Sequence, residues 1–223
     1  LRTDEQRTAR HKAAELADVA MRLQSARETP ELLAITAELA SAFFACPLTG
    51  VASLGRKNTL LDVDGPAAEL VRDEASVPTS TWSRSLATNE PLTDSVPTGT
   101  SASRLVEAGV NGVTHAPLIP GRGRAVGVLS LYWSGTPADL TYLGPFSTHV
   151  AVAMESLWYQ SRLNVSMEAH RVVSSSIGIL MERYGIDSRA AYDVLSGVSL
   201  EHNVTLREIA RRVIDDRELP ASG

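Results

Sequence analysis

The spacing of apolar residues changes twice along this chain, and the two changes limit what it can fold into. Residues 3–27 carry Leu16, Val19, Ala20 and Leu23 at helical spacing, with Thr3 and Gln6 fitting a capping box. A second helix is predicted from Thr29 as cap and Pro30 at the first helical position. It runs through Leu32, Leu33, Ile35, Ala37, Leu39, Ala40, Phe43 and Phe44 to a stop at Cys46-Pro47. From Leu48 short apolar runs alternate with Gly, Pro, Asn and Asp. Residues 51–54 and 59–63 read as a hairpin across 55–58, and 91–94 as a short strand. Residues 113–119 and 125–133 read as central strands around the loop 120–124, with helices over one face. Residues 82–87 and 103–108 read as short helices.

The second change comes after Thr136-Pro137. Residues 140–164 read as a long helix, and 165–219 hold no strand signal. Three helices are predicted there, over 166–184, 188–202 and 206–217. Gly185 suits a left-handed stop, Asp187 a cap, and Thr205 with Glu208 a second capping box. Val204 and Ile209 fit its hydrophobic staple. The fold class is therefore α+β: an antiparallel-sheet domain flanked by helices, then an all-α three-helix domain. The boundaries expected are 1–28 for an N-terminal helix, 29–160 for the sheet domain and 161–223 for the helical domain.

Composition narrows the function classes. Of 223 residues, 43% are hydrophobic and 21% charged, and the formal net charge is −5. That balance opposes bulk attraction to nucleic acid or to an anionic membrane. Lys12 and Lys57 are the only lysines. The single cysteine, Cys46, excludes an intrachain disulfide and a cysteine-rich zinc site. His11, His115, His149, His170 and His202 show no close metal-ligand spacing. No apolar run approaches the roughly 20 residues that span a bilayer, and no signal-peptide pattern opens the chain, so it reads as cytoplasmic. No nucleophile–base constellation, phosphate loop or metal motif stands out. The expectation is no enzyme, no catalytic residue, no metal and no cofactor.

Three strings in the middle of the chain carry a resemblance. They are Ala87–Val96 (ATNEPLTDSV), Ala116–Leu118 (APL) and Gly127–Leu131 (GVLSL). In this order and spacing they resemble a GAF domain. That family's fold is an antiparallel sheet with helices on one side and a cavity on the other. The resemblance implies a small-molecule ligand or, equally, a dimerisation scaffold. Cys46 precedes the first strand, which argues against a bilin chromophore; a lone cysteine also does not support sulfoxide reduction. His115 and His149 read as core or surface histidines rather than haem ligands. Trp82 and Trp133 read as core aromatics.

The helical end carries a more specific resemblance. Val173, Gly178, Ile179, Leu180, Met181, Ala191, Tyr192, Leu195, Ser199, Asn203, Leu206, Glu208, Ile209 and Ala210 match the pattern of an ANTAR domain. That family binds paired RNA hairpins and prevents transcription termination. The resemblance implies RNA contact by Arg171, Ser176, Gly178, Arg183, Tyr192, Ser196, Asn203, Thr205 and Arg207. Arg171, Arg183 and Arg207 would neutralise phosphate. Ser176, Ser196, Asn203 and Thr205 would hydrogen-bond backbone or base edges, and Tyr192 would stack on a base. Gly178 would allow close approach of another helix or a ligand.

Three departures weaken that implication. Ile177, Ser196 and Thr205 stand where the family usually places cations. The salt dependence of RNA binding should be shallower by roughly 3 units, at about one per contact. Residues 163–223 hold seven arginines against nine acids, a net charge of −2.

The closing helix of the first domain is expected to run almost directly into the next. Leu157, Leu163, Val173, Ile177 and Leu180 then form the seam of a parallel-helix, coiled-coil homodimer. The function expected is a signal-responsive transcription antitermination regulator: RNA binding by the ANTAR-like domain under control of the GAF-like domain. The alternative is a degenerate ANTAR protein that acts as a dimerisation or protein-interaction regulator without RNA binding.

Overall fold

The computed structural model describes residues 2–95, 109–121, 123–135 and 139–216. The helix expected over 103–108 lies outside the described residues, as does the side chain of Thr3. Two compact units divide the chain, Leu1–Trp158 and Tyr159–Gly223.

The first unit begins with α1 (Arg2–Gln24) and α2 (Thr29–Phe44). Thr29 is the first residue of α2 rather than its cap; Glu28 takes the cap position, with no side-chain cap bond. The helix stops where Ala45 turns left-handed, at φ 50°. Then come β1 (Leu48–Leu54), β2 (Leu60–Asp64), α3 (Ala68–Ala75), α4 (Thr81–Thr88), β3 (Leu92–Asp94), β4 (Gly112–Leu118) and β5 (Gly127–Trp133). The β1–β2 hairpin closes through the 3-10 turn Arg56–Asn58. Helix α3 is absent from the sequence expectation. It is short, and only Val71 and Glu74 are buried, too few to mark a period.

Every strand pair is antiparallel, in the order β2-β1-β5-β4-β3. Strands β4 and β5 are central and buried along their whole length, as their continuous apolar runs predict. Helices cover both faces of the sheet, not one. Leu129, Leu131 and Trp133 face α2 and the first turns of α5 (Leu143–Tyr184), with Leu33, Phe44, Phe146 and Met154 in the same core. Val128 and Tyr132 face the other way, into a core with Val71, Trp82 and Leu86. The alternation along β5 requires two covers, because both sets of side chains are apolar. Gly127 admits the backbone of β1: a Cβ there would stand 2.3 Å from the Ala52 carbonyl oxygen.

The two helices expected over 140–184 are one helix, α5, of 42 residues. In the second unit it is followed by α6 (Ser188–Glu201) and α7 (Leu206–Asp216). Gly185 is left-handed at φ 63°. The Asp187 carboxylate accepts the Ala190 N–H at 2.8 Å, and the Thr205 hydroxyl oxygen accepts that of Glu208 at 3.3 Å. The core of this unit is Leu180, Ala191, Leu195, Ile209 and Val213, with Ile177, Val204 and Leu206 packed at its edge. No helix among the described residues is long and apolar enough to cross a membrane.

Candidate nucleic-acid interface

The side chains expected to touch RNA fall into three groups on the second unit. Arg171 lies exposed on α5, where its guanidinium grips both oxygens of Glu168 at 2.8 and 2.9 Å. Arg207, half-buried on α7, adds to the positive field on that same carboxylate. Arg211, one turn further along α7, brings Nη2 to 3.9 Å from Glu168 Oε1. These cations hold the Glu168 carboxyl below its usual range, through the Arg171 hydrogen bond first and the charges of Arg171, Arg211 and Arg207 after it. Arg211 and Glu168 are absent from the sequence expectation. The i,i+4 spacing of Arg207 and Arg211 is the signal that pairs the two arginines on one face.

The second group is on α6 and the turn after it. Tyr192 is exposed, and Ser196, one turn on, is half-buried on the same face. Asn203 is exposed and left-handed at φ 51°, which reverses the chain between α6 and α7. Thr205 is exposed, with its hydroxyl engaged in the α7 cap. Arg183 stands apart, in the last turn of α5, with its guanidinium 6.0 Å from the centre of the Tyr184 ring. It is twelve residues beyond Arg171, or about 18 Å along the helix.

Several expectations need correction. Ser176 is fully buried, and its hydroxyl donates to the Val173 carbonyl at 2.8 Å, so it offers RNA nothing. Gly178 is not held by close packing within the chain: a Cβ there would meet nothing within 4 Å. Of the five residues expected in a dimer seam, four are buried or half-buried within their own unit. Leu180 lies in the core of its own unit, Ile177 packs against that core, and Leu157 packs against the first unit's core. Val173 is half-buried. Leu163 stays exposed, with Tyr159, Met167 and Met181.

The first unit holds a buried polar cluster. His115 Nδ1 is 2.9 Å from Ser130 Oγ, and the two residues are cross-strand partners on β4 and β5. His115 Nε2 lies 2.6 Å from Glu74 Oε2, a close contact whose angles are not those of a hydrogen bond. The Tyr132 hydroxyl donates to Glu74 Oε1 at 3.4 Å. Burial, with the Glu74 charge beside it, pushes the Tyr132 phenol well above its ordinary range. His149 is exposed. Trp82 and Trp133 are core residues, as expected. Cys46 is buried, and burial pushes its thiol up to about 11. Among the described residues no group of three or more His, Cys, Asp or Glu could hold a metal ion.

Residues 161–214 match the family model of the ANTAR domain. The C-terminal unit carries an ANTAR domain. The rest of the chain resembles solved GAF structures. The GAF domain of a phosphoenolpyruvate-protein phosphotransferase from Coxiella burnetii is 12% identical, with TM-score 0.52, covering 70% of this chain and 96% of that one. The GAF domain of a putative sensor histidine kinase from Pseudomonas syringae pv. tomato is 15% identical, with TM-score 0.50, covering 76% and 99%. A bacteriophytochrome from R. palustris is 13% identical, with TM-score 0.51; 84% of this chain covers 46% of that chain. Identities this low show a GAF-like fold. No curated protein matches the chain.

Proposed function

We propose that this chain is a signal-responsive transcription antitermination regulator. Its ANTAR domain binds paired RNA hairpins in the cytoplasm, and its GAF-like unit senses a small ligand or partner and sets the state of a homodimer. The observation that carries this reading is the convergence of Arg171 and Arg211, with Arg207 on the same face of α7, on Glu168 inside the matched segment, although residues 163–223 carry a net charge of −2. Tyr192 and Asn203, both exposed, supply stacking and hydrogen-bonding groups.

One observation favours the second reading, a degenerate ANTAR protein that contacts another protein instead of RNA. Ile177, where the family places a lysine, is packed against the helical core. Paired-hairpin RNA titrated by filter binding over a salt series separates the two. The protein is expected to bind at low salt, and an Ile177→Lys variant to bind more tightly, with a log–log salt slope steeper by about one. Absence of binding by both proteins at low salt overturns the RNA reading.

A further inference from the structure

Two helices of the ANTAR domain bring two guanidinium groups within 4 Å of a single carboxylate, with a third on the same face of α7. Arg171, one turn along α5 from Glu168, holds both carboxylate oxygens in a forked pair at 2.8 and 2.9 Å. Arg211 approaches from α7 to 3.9 Å, and Arg207, on the same face of α7, contributes its charge without direct contact. Arg212 is occupied elsewhere, 3.5 Å from Glu208. The cluster therefore holds three cations against one anion, in a segment whose overall charge is negative. A guanidinium fork accepts a phosphate in the same geometry as a carboxylate. Both helices are anchored by the core residues Leu180, Ile209 and Val213, so the cations are presented by packed elements and not by a loop.

We propose that Arg171, Arg207 and Arg211 form an anion site for an RNA backbone phosphate, and that Glu168 is its resident anion in the free protein. The proposal rests on the RNA-binding reading above and gives it a location and a built-in brake. An incoming phosphate takes over the Arg171 fork, and the Glu168 carboxylate swings out toward solvent, where it is already about one-third exposed. While Glu168 is in place it neutralises part of the positive charge that would otherwise pair with phosphate. Fewer salt ions are then released when RNA binds, and the salt dependence is shallow.

The test compares the full chain with Glu168→Gln, Arg211→Gln and Glu182→Gln, all at exposed or half-exposed positions, with paired-hairpin RNA over a salt series. Glu182→Gln removes the same charge from α5 away from the cluster, and so measures the effect of net charge alone. Glu168→Gln is expected to bind about three- to tenfold more tightly at low salt, with a slope steeper by about one; Arg211→Gln should bind more weakly, with a slope shallower by about one. Glu182→Gln should change affinity clearly less than Glu168→Gln. RNA binding that Glu168→Gln and Arg211→Gln leave unchanged overturns the site and leaves the RNA reading standing. Equal gains from Glu168→Gln and Glu182→Gln also overturn it, because net charge then explains both. If no variant, Ile177→Lys included, binds RNA, the RNA reading falls and the site falls with it.

Discussion

At the scale of single residues, burial decides what a polar side chain has left to offer. Ser176 and Ser196 are the same residue type in neighbouring helices. The first is fully buried and bonded to its own helix, and the second is half-buried on the Tyr192 face. His115 is the sharpest case. Its ring stands between Ser130 and Glu74 with no exposed surface, so its neighbours depend on it. His115→Ala leaves Glu74 with the long Tyr132 hydroxyl bond beside a cavity and is expected to cost about 3 kcal/mol in urea unfolding. A joint His115→Leu, Glu74→Leu variant should lose less than the sum of the two single changes. Purely additive losses would show that the pair is not coupled. The sequence placed the histidine on a core strand and left open whether it is a core or a surface residue. Its acidic partner was not legible, because Glu74 lies on a short helix, forty-one positions upstream, that periodicity does not mark.

At the scale of elements, local signals were read well wherever a few neighbouring residues set the geometry. Gly185 ends a helix because it lacks a Cβ and turns left-handed, and the side chains of Asp187 and Thr205 cap the next two. The two strongest strands appear within two residues of their predicted bounds, because strand length and apolar content suffice to mark them. The break expected between 164 and 166 does not exist: no glycine or proline stands there, and Asn164 and Ser166, although capping residue types, lie inside α5. Gly178 gives a test at this scale. It sits inside α5 with open space where a side chain would be. Gly178→Ala is expected to raise the stability of the helical unit by about 1 kcal/mol in thermal unfolding, from helix propensity alone. A variant that melts lower would show that another surface needs that space.

At the scale of the whole molecule, one apolar face bears on assembly. Tyr159, Leu163, Met167 and Met181 project apolar groups from α5 within the second unit, although Leu180 and Ile177 turn inward. If a second copy covers this face, sedimentation at micromolar concentration should show a dimer, and Leu163→Glu should shift it toward monomer. A wild-type monomer at that concentration would remove the homodimer from the proposed function. The sequence by itself determined the α+β class, the order of the five strands and the caps at Asp187 and Thr205. These depend on spacings of two to four residues and on the chemistry of individual side chains. Only the tertiary structure decided which faces of the sheet are covered, that Leu180 and Ile177 pack in the core of their own unit, and that Arg171 and Arg211 meet at Glu168. Those outcomes join residues tens of positions apart, and their distances follow from how the helices pack, not from any local pattern.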